Sequence, residues 1–109
     1  MGHWVRVGAA AILALAATAH AQSDRRVLQW AASCGACHGT DGRSQGGMPS
    51  LAGRSAEALT ALLVEFRDGK RNATVMHQHA KGYTNDEIRQ IAQYFSEVKA
   101  DGKSAGGAK

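Results

Sequence analysis

The feature that most constrains this chain is the motif Cys34–His38, a C-x-x-C-H pattern that contains its only two cysteines. This pattern is typical of the attachment of c-type haem. Two thiols separated by two small residues let the chain turn and present both sulfurs to the two vinyl groups on one porphyrin edge. His38 directly follows the second thiol, so its imidazole is placed beneath the iron. The motif therefore predicts one covalently bound haem c, with Cys34 and Cys37 as attachment points and His38 as an iron ligand.

Three other uses of the cysteines are open. A thioredoxin-like redox dithiol has the same spacing, but it belongs to a βαβ context, whereas this motif closes a helical segment. A zinc site needs four ligands, usually from two such halves, and only one half is present. A disulfide between Cys34 and Cys37 would close so short a loop that it would hardly constrain the unfolded chain. Haem attachment is the favoured interpretation.

The amino-terminal segment has the pattern of a secretory signal peptide. Arg6 lies in a short leader, an apolar run follows over Val7–Ala19, and Ala19-His20-Ala21 supplies the small residues of a cleavage site. An uncleaved membrane anchor is the alternative, but a spanning helix needs about 20 apolar residues and this run is shorter. We therefore predict that residues 1–21 are removed and that the mature protein is periplasmic, with no stable membrane anchor.

The remaining segment, residues 22–109, is small for a stable hydrophobic core, and small domains usually need a staple such as a cofactor. The whole chain has 13 Lys and Arg against 9 Asp and Glu, a formal net charge of +4. Such a weak balance does not indicate nucleic-acid binding, which uses a clustered basic face. No nucleophile, acid–base pair or second metal site is visible, so we do not expect the chain to be an enzyme by itself.

Apolar residues recur at helical spacing in three segments, and no segment has the alternation of a strand. The first helix is predicted to begin at Ser23 or Asp24 and to run into the motif. The second begins after Ser55 and ends before Gly69. The third begins at the capping box Thr84–Glu87. Its predicted apolar stripe consists of Ile88, Ile91, Ala92, Phe95 and Val98.

Two long loops join these helices, residues 40–53 and 70–83, and a short helical turn after Asn72 is compatible with the second loop. Three short helices cannot bury their apolar faces well against one another. A flat apolar disc between the two loops would cover those faces. We predict an all-α domain over residues 22–100 and a flexible tail over residues 101–109.

On these residues the chain resembles the class I cytochromes c over nearly all of Asp24–Lys99. It shares with them the C-x-x-C-H motif, the P-x-L-x-G pattern at Pro49–Gly53, a methionine at Met76 and an aromatic pair in the last helix, Tyr94-Phe95. The resemblance implies a class I cytochrome c fold, with three main helices and two long loops around one haem c, and the transfer of single electrons.

Within that family the chain is most similar to single-haem units and to the cytochrome subunits of flavocytochrome c sulfide dehydrogenases. Those proteins share the sequence of Cys37–Gly42 and a methionine followed by Ala-Lys-Gly-Tyr, here Ala80–Tyr83. The resemblance also implies that the carbonyl of Pro49 accepts a hydrogen bond from Nδ1 of His38. The alternative is a proline that only shapes its loop.

The sixth iron ligand has several candidates. His/Met is the usual ligand pair of an electron carrier, and residues 22–109 contain Met48 and Met76. Met76 is the predicted ligand, because a whole helix separates it from His38 and can carry the chain to the opposite haem face. Met48 lies on the loop expected to cover the His38 face. His77 and His79 remain alternatives, because imidazole also binds haem iron. Six further residues are interpreted as packing: Trp30, Leu51, Leu59, Leu63, Phe66 and Tyr94.

The predicted partner is a redox protein: a flavoprotein dehydrogenase, an oxidase or another cytochrome. The predicted function is that of a carrier of single electrons. The alternative functions are a fixed cytochrome subunit of a flavoprotein dehydrogenase of the sulfide dehydrogenase type, and a haem sensor or weak peroxidase. Two stretches that include most of the two loops, residues 42–56 and 69–85, contain no Asp or Glu. Their cations are expected to lie near the haem edge and to steer an acidic partner. Those cations are Arg43, Arg54, Lys70, Arg71 and Lys81.

Overall fold

The computed structural model describes residues 3–101, with side chains from residue 13 onward, and every regular element in that part of the chain is helical. The all-α prediction is confirmed. A single 3₁₀ turn at Thr40–Gly42 follows the first helix. The α-helices are α1 His3–His38, α2 Ala56–Arg67, α3 Met76–Ala80 and α4 Asn85–Glu97. Most of the predicted tail, residues 102–109, lies outside the described residues.

Helix α1 extends much further toward the amino terminus than the sequence pattern predicts. The predicted start at Ser23 or Asp24 is wrong for the full-length chain, because the helix runs unbroken from His3. The Ala-rich leader has a high helix propensity, so the helix continues through Ser23 and Asp24 and neither side chain meets a helix end to cap. Every described side chain from 13 to 26 is exposed. Residues 13–26 therefore contribute no side chain to the core, and the removal of residues 1–21 stays a prediction.

Within residues 3–101, no helix combines the length and the apolar character that crossing a membrane requires.

The core forms where α1, α2 and α4 meet. The predicted apolar stripe of α4 is confirmed, with Ile88, Ile91, Ala92 and Phe95 all buried, while Val98 lies at the end of the helix and is half-buried. In contrast, α2 buries only one side chain fully, Leu59. The remaining apolar side chains of its inner face stay half-buried, so α2 presents an incompletely covered surface to the interior: Leu62, Leu63 and Phe66.

Local capping sets where two of the helices begin. Oγ of Ser55 accepts a hydrogen bond from the backbone N–H of Ala58 at 3.1 Å, at the start of α2. At the start of α4, Oγ1 of Thr84 accepts from the N–H of Glu87 at 3.2 Å, and the Glu87 carboxylate accepts from the N–H of Thr84 at 2.9 Å. These side chains satisfy N–H groups that have no partner within the helix. Both predicted helix starts are confirmed.

A glycine turn after α1 fixes the first loop against α4. Gly42 is buried with φ of 74°, and a Cβ there would lie 2.8 Å from the Phe95 ring. Its carbonyl accepts hydrogen bonds from the N–H groups of Leu51 and Ala52 at 2.8 and 3.2 Å. The N–H of Gly53 donates to the carbonyl of Phe95 at 3.0 Å. The loop is thereby held in place as one wall of the interior.

Candidate cofactor site

The loops and helices enclose a cavity of about 450 Å³, a volume within the range of about 300–1,000 Å³ typical of ligand pockets. It is bounded by α1, α2, α3 and α4 and by both long loops. Its apolar wall explains why the inner face of α2 is only partly covered by protein. The apolar side chains on the wall are Leu51, Leu59, Leu62, Leu63, Phe66, Val75, Ile91, Ala92 and Phe95.

The three motif residues lie together at one end of this cavity. Cys34, Cys37 and His38 all line it, on the last turn of α1. The helix ends there because the next residue, Gly39, has φ of 89°, a conformation that glycine adopts at little cost. Both thiols are free. Cys34 is half-buried and Cys37 is exposed, and both border the mainly apolar cavity.

Burial raises the pKa of the Cys34 thiol above its usual value. Catalytic redox dithiols have the opposite property, because a lowered pKa is what makes their thiolate reactive. No group of three or more His, Cys, Asp or Glu side chains that could hold a metal ion occurs within the described residues. These observations disfavour the redox-dithiol and zinc interpretations of the motif.

A hydrogen bond orients the imidazole of His38. Its Nδ1 lies 2.7 Å from the carbonyl oxygen of Pro49. A carbonyl oxygen can only accept, so Nδ1 must carry the proton and donate it. In the neutral ring Nε2 is then unprotonated and free to bind a metal, and such a bond also raises the basicity of the ligand. The interaction expected for Pro49 from the family resemblance is therefore present.

Three of the candidate sixth ligands line the cavity: Met48, Met76 and His79. Met76 is half-buried at the first position of α3, and Met48 is 45% exposed on the loop beside Pro49. His79 also lines the cavity but is exposed, whereas His77 is not among the lining residues. The site thus brings together two thioethers and one further imidazole with the motif, and the assignment of Met76 stays a prediction.

The residues predicted to pack separate into two groups. Leu51, Leu59, Leu63 and Phe66 line the cavity. Trp30 and Tyr94 do not line it, and each packs edge-on against another aromatic ring. The ring centroids of Trp30 and Tyr83 are 5.9 Å apart, and those of Tyr94 and Phe95 are 5.2 Å apart. The lining role of Tyr83 was missed at the sequence level, although its aromatic character after a helical turn was a signal for it.

The cations of the two loops are not all unpaired. Nε of Arg71 donates to Oε2 of Glu65 at 2.8 Å, from the preceding helix. Arg43 donates to the carbonyl of Lys99 at 2.8 Å and forms an ion pair with Asp41 at 3.4 Å. For these two arginines a neighbouring carboxylate offsets part of the positive charge, and the expectation that the five cations steer a partner stays a prediction. The chain folds acids from neighbouring segments onto them.

The residues present fit a haem. Apolar walls suit the faces of a porphyrin, and two thiols at one end suit its vinyl edge. An imidazole with a free Nε2 and a nearby thioether form the donor set that haem iron takes in electron-transfer proteins. The arrangement can hold one redox-active metal in a low-dielectric setting, shielded by the helices and loops.

Comparison with known proteins gives matches over the same part of the chain. The model of the family described as cytochrome C oxidase, cbb3-type, subunit III matches residues 22–95. The cytochrome subunit of sulfide dehydrogenase from Chlorobaculum tepidum is 50% identical over 66 residues, which cover 61% of this chain and 60% of that protein.

Two further relatives show the same similarity. The thiosulfate dehydrogenase electron acceptor of Thiomonas intermedia is 42% identical over 77 residues, which cover 69% of this chain and 36% of the relative. Cytochrome c-554(548) of Halomonas halodenitrificans is 41% identical over 68 residues, covering 59% of this chain and 82% of the relative. The match thus spans less than two thirds of the first two relatives and most of the third.

Proposed function

The chain belongs to the cytochrome family described as cytochrome C oxidase, cbb3-type, subunit III, its cofactor is haem c, and from this premise we propose that it carries single electrons between redox partners. The observation that carries the proposal is the placement of the C-x-x-C-H residues on one apolar cavity, with the imidazole of His38 oriented by Pro49. This arrangement suits a fixed iron coordination that changes little with redox state.

In this proposal Cys34 and Cys37 would hold the haem covalently, and His38 and Met76 would be the ligands of its iron. When bound, the haem supplies a one-electron couple. The protein's own contribution would be to exclude water from the haem through the apolar wall. A low-dielectric wall disfavours the more charged oxidised state, and methionine ligation acts in the same direction. Both effects raise the reduction potential.

The place of action is the periplasm, after removal of residues 1–21. The proposal is supported by the composition of the leader and by the exposure of every described side chain from 13 to 26. A mature chain starting at residue 22 retains Ala31 and Cys34, the parts of α1 that contact the core and the cavity.

A second candidate role is that of a fixed electron-accepting subunit of a dehydrogenase. It is favoured by the 50% identity to the cytochrome subunit of sulfide dehydrogenase. In that role the haem face stays buried against a flavoprotein and electrons arrive without a diffusional encounter. A diffusible carrier instead meets its partner afresh for each electron, so its rate depends on salt. Affinity purification from periplasm separates the roles, since a fixed subunit retains its flavoprotein at 0.5 M salt or so.

The proposed function is tested by a redox titration of the purified protein combined with exposure of the reduced form to carbon monoxide. We expect one reversible one-electron transition and no ready binding of carbon monoxide, because in this proposal His38 and Met76 would both bind the iron. A haem sensor or weak peroxidase has an axial ligand that dissociates. Ready binding of carbon monoxide, or a protein without haem, would contradict the proposal.

A further inference from the structure

The proposed removal of residues 1–21 makes Gln22 the first residue of the mature chain. In the full-length chain its backbone nitrogen is an amide within α1. Cleavage turns that nitrogen into a primary amine, on the same residue as a carboxamide side chain whose length suits the closure of a five-membered ring. Every other glutamine of the sequence lies within the mature chain, where its backbone nitrogen stays an unreactive amide. Gln22 alone therefore carries both groups that a cyclisation needs.

The backbone at Gln22 loses its helical partners on cleavage. In an α-helix each N–H donates to the carbonyl four residues earlier. For residues 22–25 of α1 those carbonyls belong to residues 18–21, which leave with the leader. The contact of 3.4 Å from Nε of Arg25 to the carbonyl of Ala21 is lost in the same step. The new terminus is therefore a helix end with unpaired N–H groups, which frays more readily than the middle of a helix.

The side chain of Gln22 is not held by the rest of the protein either. It is exposed, and its carboxamide makes no hydrogen bond to any residue in the part of the chain that the structure describes. From residue 13 onward, the first half-buried side chain of α1 is Val27 and the first buried one is Ala31. Gln22 thus lies before the packed part of the helix, so its amine and its carboxamide are free to meet.

We propose that Gln22 of the mature protein is a modification site, at which the residue cyclises to pyroglutamate. The α-amine attacks Cδ of the side chain, an N–Cδ bond forms, and the Cδ–Nε2 bond breaks. The departing nitrogen takes up a proton from the attacking amine and leaves as ammonia, so the step needs no oxidant and no co-reactant. This inference rests on the removal of residues 1–21 in the proposed function.

Cyclisation removes a positive charge from the start of α1. A free α-amine is mostly protonated at neutral pH, whereas the lactam that replaces it is neutral. Arg25 and Arg26 are exposed close to the new terminus, and Asp24 is the one acid of residues 22–26. A further cation is disfavoured there, because the amino end of a helix carries a positive partial charge. The cyclised terminus therefore suits this helix better than the free amine does.

The test uses holoprotein from a host that exports the chain and attaches c-type haem. Gln22→Asn is the matched control, because it keeps the amine and a carboxamide but would have to close a strained four-membered ring. The intact mass is measured before any digestion, since a peptide with an amino-terminal glutamine also cyclises during handling. Edman degradation of the intact protein reports whether the terminus has a free amine. Tandem mass spectrometry of the tryptic peptide Gln22–Arg25 then locates the loss of ammonia.

We expect the wild-type mass to equal residues 22–109 plus one haem less one ammonia, with Edman degradation blocked. Gln22→Asn should lose no ammonia at its first residue and should be read normally by Edman degradation. A wild-type chain that begins at Gln22 and keeps its free amine after prolonged incubation at neutral pH overturns the inference, as does an equal loss of ammonia in Gln22→Asn. A chain that begins at any other residue overturns the predicted cleavage together with this inference, whereas a chain without haem overturns the proposed electron-transfer function.

Discussion

Nδ1 of His38 lies 2.7 Å from the carbonyl oxygen of Pro49, a residue eleven positions further along the chain. The bond joins the last residue of α1 to the loop that closes one side of the cavity. It fixes the tautomer of the imidazole and leaves Nε2 for a metal. Because proline restricts its own φ, the acceptor is held by a backbone with little freedom.

The distal ligand is the first point to test. Both methionines line the cavity, but Met76 is half-buried on α3 and Met48 is largely exposed beside Pro49. We expect the thioether–iron charge-transfer band in the far red of the oxidised spectrum to vanish in Met76→Ala and to survive in Met48→Ala. Loss of the band in Met48→Ala alone would show that Met48, and not Met76, is the sixth ligand. A wild-type spectrum without the band would favour His79.

The turn after the motif should tolerate no side chain. Gly42→Ala places a Cβ 2.8–2.9 Å from the Phe95 ring and the Cβ of Leu51, at a φ of 74°. Strain at the left-handed backbone and overpacking together are expected to lower the free energy of unfolding by about 2–4 kcal/mol. Gly82→Ala is the control, because a Cβ there meets nothing within 4 Å. Urea unfolding of both holoproteins measures the difference, and equal midpoints would contradict the expectation.

The phenol of Tyr94 links α4 to the loop after the motif. Its hydroxyl donates to Oδ1 of Asp41 at 3.2 Å, and burial, followed by the negative charge of Asp41, raises the pKa of Tyr94. The neutral hydroxyl is therefore the stabilising form. Its contribution is fully present below about pH 10, the pKa of an unfolded tyrosine, and is lost as the pH rises through the folded pKa.

We therefore expect Tyr94→Phe to lower the free energy of unfolding by about 0.5–1 kcal/mol at neutral pH and to weaken the loss of stability above pH 10. The measurement is urea unfolding of the wild type and the variant between pH 7 and about pH 11. A variant that loses stability at alkaline pH as steeply as the wild type would show that Tyr94 does not titrate against Asp41.

Two of the loop cations are predicted to take part in the encounter with the partner. Lys70 and Lys81 are exposed and make no side-chain hydrogen bond or ion pair in the described part of the chain. Lys81→Glu is expected to slow electron transfer to the native partner several-fold at low salt, and the slowing should shrink as salt rises and the Debye length falls below about 10 Å. Arg89→Glu reverses a charge on α4, away from the cavity lining, and serves as the control. A rate indifferent to Lys81 and to salt would favour the fixed-subunit role.

The sequence was most informative where structure depends on near neighbours. The capping interactions of Ser55 and of Thr84 with Glu87 follow local patterns, and both helix starts are where those patterns predict. The C-x-x-C-H motif likewise predicts that Cys34 and His38 lie on the same side of α1, because they are four residues apart in one helix.

Contacts between distant segments were not predictable in the same way. Asp41 and Tyr94 are 53 residues apart, and only the packing of the first loop on α4 brings them together. The pairing of Arg71 with Glu65 depends on how the chain turns at the end of α2. A count of the acids within the loop alone therefore could not predict this ion pair. The predicted start of α1 differs from the observed one because the leader, which has the pattern of a targeting segment, also has a strong helix propensity.

The central claim is that Cys34 and Cys37 hold one haem covalently, and the intact mass of the denatured protein tests it most directly. Protein made in a host that attaches c-type haem should have the mass of residues 22–109 plus one haem, less the ammonia that cyclisation of Gln22 releases. Replacing both cysteines by serine in the same host should abolish the haem increment and leave the rest of the mass changed only by the substitutions. A wild-type chain whose haem separates from the polypeptide on denaturation would contradict the account.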